Sequence, residues 1–305
     1  MTAPVAPAVE EARQRSIEPG PGGAPKQRRG TNKRSSKAAT WFTGRRLLIL
    51  GSQIGLLALI LIIWELGSGF DGESGKFLDQ YTVSKPSEIW EALKNFESRG
   101  LLWSNILLTY RITLIGFTIG ATSGFLAGLV LGLNRYLADV LSPFLAALYS
   151  TPRLALVPVF LLWFGIGDGA KLALVASIVF FLVFYATFAG VKEVDVQVID
   201  RMKLMRAGKL SICRKAILPS AASFIVEGLR VSGPFALVSA VTAEMLSSNQ
   251  GMGFVLIRSS SQFDTPGVFA CIAVLAIMGI ALMGAIRLLE SRLLRWKPEH
   301  INGSR

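Results

Sequence analysis

The sequence predicts an all-α membrane protein. Three observations predict it: the 305-residue chain is 51% hydrophobic, its mean hydropathy is +0.50, and its apolar residues come in long runs. A helix needs about 20 predominantly apolar residues to cross about 30 Å of hydrocarbon. Several runs reach that length, so the sequence predicts helices that lie in a lipid bilayer.

Six apolar runs are long enough to cross a membrane. They cover residues 47–66, 106–132, 138–164, 171–191, 224–246 and 267–289. The third run contains Pro143, Pro152 and Pro158. A proline inside a membrane helix removes a backbone donor, so this run predicts a kinked or broken helix.

These spans define a membrane domain over residues 41–292, flanked by two tails. Residues 1–40 are rich in Pro, Ala, Gly, Ser, Lys and Arg and lack hydrophobic periodicity. They cannot bury a core, so we expect a disordered basic tail. Residues 293–305 form the second tail. Six spans place both tails on the same side of the membrane.

The distribution of positive charge predicts which side that is. The formal net charge is +12, and Lys and Arg number ten in residues 1–46, seven in 192–222, five in 287–305 and four in 67–104. Because cytoplasmic segments carry the excess of Lys and Arg, both termini and the 192–222 loop should be cytoplasmic. Charge concentrated in this way does not predict a nucleic-acid-binding face.

A ladder of glycines runs through the second span. Its members recur every four residues: Gly116, Gly120, Gly124, Gly128 and Gly132. Residues four apart share one helix face, and small residues on that face let two helix backbones approach closely in lipid. The ladder therefore predicts close packing within the chain, a face that slides during gating, or a contact between subunits.

Charged residues near membrane depth are costly and are therefore candidates for function. Glu227 and Arg230 lie three residues apart and can pair on one helix face. Glu244 follows an apolar stretch, and Gly251 and Gly253 come soon after it. Glu244 could line a solute path together with Glu227 and Arg230, or it could hold the following loop by hydrogen bonds.

The chain carries no recognisable enzyme active site. The string ending at Gly75 and Lys76 is the nearest to a nucleotide-binding loop, but it lacks the hydroxyl residue and the first glycine. Cys213 and Cys271 fall in different environments, and His300 is the single histidine. We therefore expect neither a disulfide nor a metal site, and any ATP must be bound and hydrolysed by another chain.

The 192–222 loop contains a short amphipathic helix. Ile199, Met202 and Met205 recur at helical spacing, with charged residues such as Asp200 and Arg206 between them. An apolar stripe on a short helix outside the membrane suits insertion into a groove of a partner protein. The alternative is a helix lying on the anionic inner leaflet.

Two strings in this loop resemble a known family. They are residues 200–208 (DRMKLMRAG) and 213–219 (CRKAILP), and they resemble the cytoplasmic EAA loop of ABC importer inner-membrane permeases. Residues 151–158 (TPRLALVP) and 162–167 (LWFGIG) resemble the nitrate, sulfonate and taurine branch. The loop is degenerate, because Asp200-Arg201-Met202 replaces Glu-Ala-Ala.

The glycine of the family loop is also displaced. Arg206 stands at its position, and Gly208 lies two residues later. By resemblance, the residues that couple this loop to an ATPase are Ile199, Asp200, Met202, Met205, Arg206, Gly208, Ile217, Leu218 and Pro219.

The resemblance implies the type I importer permease fold and a set of partners. These are two ATPase chains that bind ATP and Mg²⁺, a solute-binding protein outside the bacterial inner membrane, and a second permease copy in a homodimer. It also implies a small anionic solute such as a sulfonate, taurine or nitrate. The alternatives are a secondary transporter or channel, and a permease-like scaffold or regulator that has lost its coupling to an ATPase.

Overall fold

The computed structural model describes residues 35–69, 78–247 and 249–293, and nearly all of these residues are helical. Most of the two predicted tails lies outside the described residues. The first helix begins at Ser35, inside the predicted 1–40 tail. The chain divides between Leu59 and Ile60 into two compact units. The described part of the first unit is helical from Ser35 onward, and the core and the candidate sites lie in the second unit.

Twelve α-helices and two very short parallel strands make up the described residues. The helices are α1 (Ser35–Gly67), α2 (Gln80–Val83), α3 (Pro86–Ser98), α4 (Leu101–Leu133), α5 (Arg135–Ser150), α6 (Val157–Phe164), α7 (Asp168–Lys192), α8 (Val196–Leu204), α9 (Lys209–Ile212), α10 (Leu218–Ser247), α11 (Met252–Ser261) and α12 (Thr265–Leu293). Strands β1 (Ser68–Gly69) and β2 (Leu78–Asp79) pair after the first helix.

Four of the described helices are long and apolar enough to cross a membrane. They are α4, α7, α12 and the continuous stretch Lys209–Ser247 that includes α10. A fifth span arises if α5 and the helical stretch Arg153–Phe164 count together. The first helix contributes only the shorter apolar stretch Gly51–Gly67. The described residues thus support four or five crossings, and the sixth remains a prediction.

The third predicted span is a broken helix. Its two halves, Arg135–Ser150 and Arg153–Phe164, are bent by 86°. Thr151 and Pro152 are extended at the break, because the proline ring disfavours a helical conformation at the residue before it. Pro143 lies inside α5, and Pro158 lies in the first turn of α6, where no donor is needed. The break thus follows from the prolines.

The order of contacts fixes how the long helices run. Successive glycines of α4 face successive turns of α7 with a nearly constant offset, from Gly116 beside Val175 to Gly132 beside Val191. The two helices are therefore parallel. Helix α10 is antiparallel to α7, because its Gly228 faces Ala186 whereas Phe224, earlier in α10, faces the later residue Gly190.

The core lies between α4, α7 and α10. Its buried residues are small or β-branched, and they are Ile112, Ala121, Val175, Val179, Val183, Ala236 and Ala240. A second cluster joins α12 to α3, α4 and α11 around Met252, Cys271 and Met278. Small side chains let the backbones come close, which strengthens dispersion contacts where no hydrophobic effect acts between helices.

Candidate functional site

The bundle has two ends, and the sequence placed candidate residues at both. We call the end that carries residues 192–217 the loop end. There α4 and α7 finish and α10 begins. At the opposite end α4, α7 and α12 begin and α10 finishes.

At the loop end, α8 and α9 fold back onto the bundle. The Asp195 side chain accepts a hydrogen bond from the Gln197 amide at 2.8 Å and so caps the start of α8. Ile199 and Met202 pack on a buried cluster that contains Val191, Ile212 and other residues. The inner face of the loop is thus fixed by the chain itself.

The predicted apolar stripe of this loop therefore divides. Ile199 and Met202 turn inward, whereas Met205 is 80% exposed. Leu204 and Leu210, which the periodicity did not single out, are 84% and 82% exposed. We call Leu204, Met205 and Leu210 the apolar patch. Exposed apolar side chains on a charged loop are candidates for a contact site.

Arg206 has a left-handed backbone with φ of 56°. The preceding helix ends at Leu204, and the Arg206 amide donates a hydrogen bond to the Lys203 carbonyl at 2.9 Å. Left-handed backbone is disfavoured for residues with a Cβ by about 1–2 kcal/mol. Arg206 occupies the position where the resemblance places a glycine, while Gly208 has an extended backbone with φ of −69°. Arg206 therefore adopts the left-handed conformation that a glycine would take more easily at this position.

The last three candidates of the loop form the entry to α10. Residues Cys213–Ile217 make a wide helical turn directly before Leu218 and Pro219. Pro219 has no N–H to donate to the Lys215 carbonyl, and its ring would clash with that carbonyl in a regular helix. The wide turn accommodates the proline, and Ile217 is buried beneath it.

The glycine ladder packs against α7. A Cβ at Gly120 would lie 2.5 Å from the Ala176 carbonyl oxygen, and one at Gly128 would lie 2.7 Å from the Phe184 oxygen. At Gly124 it would contact the Phe180 oxygen even more closely. Backbone thus meets backbone at these three glycines, whereas Gly116 and Gly132 lie against the side chains of Val175 and Val191. The whole face is covered by the chain's own helix.

At the opposite end, Glu244 is completely buried. The Thr109 hydroxyl donates to both carboxyl oxygens at 2.9 Å, and the Gly253 amide donates to one of them at 2.9 Å. The Thr109 oxygen also accepts from the Met252 amide at 2.9 Å. Asn105 accepts from the Gly251 amide at 2.6 Å. Three consecutive amides at the start of α11 are therefore satisfied by side chains of two other helices.

We call Asn105, Thr109, Glu244 and the amides of residues 251–253 the polar clasp. Gly251 has φ of 103°, and a Cβ there would overlap the Glu244 carboxyl group. A Cβ at Gly253 would lie 2.8 Å from Glu244 Cβ. Both glycines are thus required by the close approach of Glu244. These hydrogen bonds are the ones expected if Glu244 holds the loop that follows it. A role for Glu244 in a solute path remains a prediction.

Glu227 and Arg230 do not join this group. Their side chains are 3.8 Å apart and 62% and 42% exposed, so the predicted pairing on one face is present but weak. They lie on α10 about 26 Å and about 21 Å from Glu244, at 1.5 Å per residue. The structure therefore does not bring the three path candidates together.

Two further cations are held within the bundle. Lys171, in the first turn of α7, is nearly buried and pairs with Asp168 at 3.4 Å. Arg153 lies at the break after α5, with its guanidinium 5.0 Å from the Tyr149 ring and 4.6 Å from the Phe181 ring. Stacking of this kind stabilises a cation away from water. Arg153 thereby ties the break to α7.

The sequence alone did not single out Asn105 and Thr109. They lie near the start of an apolar run and resemble ordinary polar residues at the end of a span. The only available signal was the pair of glycines after Glu244. Within the described residues, no three His, Cys, Asp or Glu side chains come together in a way that could hold a metal.

Comparison with known proteins agrees with this architecture. Residues 102–295 match the family described as the binding-protein-dependent transport system inner membrane component. The chain belongs to this family. It is thus an ABC importer permease of the inner membrane, and residues 102–295 include the clasp, the ladder and the loop.

Two curated permeases are similar along most of their length. The formylaminopyrimidine transport permease protein ThiX of Halalkalibacterium halodurans is 30% identical over 240 residues, which are 78% of this chain and 93% of that protein. The putative aliphatic sulfonates transport permease protein SsuC of Bacillus subtilis is 31% identical over 245 residues, 80% of this chain and 87% of that protein. Their solutes differ, so the family alone does not select one.

A solved structure supports the fold of the permease. An inward-facing form of the MetNI methionine ABC transporter superposes with a TM-score of 0.56 over 63% of this chain and 96% of that chain, at 17% identity. At that identity the similarity concerns the fold alone.

Proposed function

We propose that this permease imports a small anionic solute and takes its energy from a separate ATPase that docks on the 192–222 loop. The observation that carries the proposal is the apolar patch. Leu204, Met205 and Leu210 are each at least 80% exposed, and they stand on a loop whose inner face is fixed by its own cluster. Covering this apolar surface with a partner protein would remove it from water, which is favourable in free energy.

The loop is suited to transmit motion as well as to bind. Helix α8 rests on Val191 at the end of α7 and on Ile212, and the chain continues from there without a break into α10. A partner that pushes on the patch therefore acts on both core helices. ATP and Mg²⁺ would be bound by the ATPase chains, which alternate the access of the bundle by rigid-body motion.

The other parts of the proposal rest on the family and on charge. The SsuC similarity favours a sulfonate, although the solute-binding protein outside the membrane would set selectivity. We propose a homodimer of this permease with two ATPase chains. We also propose six crossings with cytoplasmic termini, as the Lys and Arg distribution indicates.

The test of coupling is co-purification with the ATPase encoded beside this chain. Met205→Asp and Leu210→Asp should each remove the ATPase from the purified complex, because a charge would be desolvated against the partner. Met205→Leu, which keeps an apolar side chain of similar volume, should retain it. If the wild-type chain purifies alone and moves solute without ATP, the permease is a secondary transporter and the proposal fails.

The test of orientation uses the two native cysteines. Cys213 lies in the loop and is partly exposed, whereas Cys271 is buried. A membrane-impermeant thiol reagent should label Cys213 only after the cells are permeabilised, and Cys213→Ser should remove the signal. Labelling in intact cells would place the loop outside, where no cytosolic ATPase can reach it.

A further inference from the structure

A cavity with a mixed polar and apolar lining lies at the opposite end of the bundle, beside the clasp. Its volume is about 370 Å³, near the lower end of the range of about 300–1,000 Å³ that small-molecule sites occupy. Residues from the end of α3, the start of α4 and helix α11 line it. The apolar part includes Phe96 and Phe254, and the polar part includes Arg99, Ser104, Asn105, Asn249, Arg258 and Gln262.

The charge of the lining is unbalanced. Arg99 and Arg258 face the cavity from two different elements, and Asp264 is the single carboxylate among its lining residues. One oxygen of Asp264 accepts the Gly267 amide at 3.1 Å. Among the residues that the structure describes, neither arginine has a salt-bridge partner. Two arginines thus share the pocket with one carboxylate, and neither forms a salt bridge with it.

The floor of the cavity is rigid. Asn105 is nearly buried and uses its side-chain oxygen on the Gly251 amide and its nitrogen on the Leu101 carbonyl. Thr109 and Glu244 hold the next amides one turn below. Helix α11, which carries Arg258, is therefore fixed at its start. A site with a fixed floor loses less entropy when a ligand binds.

We propose that this cavity binds the oxyanion head of a small organic solute, with Arg99 and Arg258 as its ligands. Guanidinium groups match sulfonate and carboxylate oxygens with paired, charge-assisted hydrogen bonds. The inference rests on the proposed anionic solute and deepens it: the permease itself, and not only a solute-binding protein, recognises the charged head before the solute enters the bundle.

The experiment uses the complete permease complex in nanodiscs without any solute-binding protein. The probes are ethanesulfonate and its neutral isostere ethanesulfonamide, titrated with saturation-transfer NMR as the readout. Ethanesulfonate should bind saturably and the sulfonamide should not. Arg99→Gln and Arg258→Gln should each weaken ethanesulfonate binding about tenfold or more, since each removes a charged donor. Arg287→Gln, near the loop end of α12, is the matched control and should leave it unchanged.

Three outcomes would overturn the proposal. The first is equal binding of both probes, and the second is unchanged affinity in both arginine variants. The third is absence of ethanesulfonate binding by the wild type, together with weaker association of those variants when the solute-binding protein is added in a separate measurement, which would make the cavity a protein contact. ATPase co-purification, measured on the same preparations, reports on the importer role separately, so a failed anion site and a failed importer role can be told apart.

Discussion

The loop end exposes apolar side chains, whereas the opposite end buries polar ones. Met205 and Leu210 leave most of their surface uncovered, but Thr109 and Glu244 are buried and bonded within the chain. The clasp is therefore satisfied within a single copy, whereas the apolar patch is left uncovered. The difference teaches that one end holds its own shape, while the other offers a surface for the partner that we propose. Four predictions test it, from the largest expected effect to the smallest.

Breaking the clasp should have the largest effect on stability. Glu244→Ala leaves the Gly253 amide without an acceptor and removes the acceptor that the Thr109 hydroxyl uses, at a cost of about 1–3 kcal/mol for each buried group. We expect a loss of about 3 kcal/mol or more, measured as a lower midpoint of thermal unfolding in detergent.

Glu227→Ala is the control for that variant, because the same residue type on the same helix is mostly exposed there. Its effect should stay within about 0.5 kcal/mol. An equal loss of stability in Glu244→Ala and Glu227→Ala would mean that the hydrogen bonds of the clasp do not stabilise the protein.

The ladder that joins the two ends should give the next largest effect. Gly124→Ala places a methyl group against the Phe180 carbonyl, so it should destabilise the bundle by about 1–3 kcal/mol through overpacking. Gly284→Ala meets nothing within 4 Å and should be neutral or slightly stabilising, because alanine favours a helix. Thermal unfolding of both variants is the measurement, and destabilisation by Gly284→Ala alone would contradict the packing described here.

At the loop end, one substitution should stabilise. Arg206→Gly relieves the left-handed backbone at that residue and should raise stability by about 1 kcal/mol. Arg201→Gly, inside α8, should lower it by about 1 kcal/mol, because glycine disfavours a helix interior. The same Arg-to-Gly change thus has opposite signs five residues apart, and unfolding midpoints that move in the same direction would exclude this account.

The smallest effect concerns an ion pair beside the patch. Lys203 and Asp200 lie 2.9 Å apart, but both side chains are more than half exposed. Solvent screens such pairs, so Lys203→Gln should change stability by less than about 0.5 kcal/mol. The difference in unfolding midpoint between the variant and the wild type should be the same in low and in high salt. A salt-dependent loss would indicate a network that the structure lacks in its described residues.

The sequence predicted the helices and the ladder well, because both depend on local spacing. A repeat of four puts glycines on one face whatever surrounds them, and the prolines of the third run predicted its break. It did not say which helix the glycines face. That depends on α7, some 59 residues further along, since Gly116 meets Val175 and Gly132 meets Val191.

The two ends were harder to predict for different reasons. The clasp joins Thr109 to Glu244, which are 135 residues apart, and no local pattern connects them. At the loop end, spacing grouped Met202 with Met205, but α8 ends at Leu204 and Arg206 reverses the chain. Met205 therefore does not lie on the helix face that Ile199 and Met202 share. Periodicity holds only while a helix lasts, and here it ends inside the pattern.

The backbone contact between α4 and α7 has a mechanical consequence. Each glycine of α4 lies against a carbonyl or a β-branched residue of α7, and the neighbouring positions carry bulky residues such as Phe117, Phe125 and Leu129. Close packing of this kind leaves little space for the two helices to move independently of each other. From Gly116 to Gly132 the contact is about 24 Å long at 1.5 Å per residue. A displacement at one end of the pair is therefore passed to its other end.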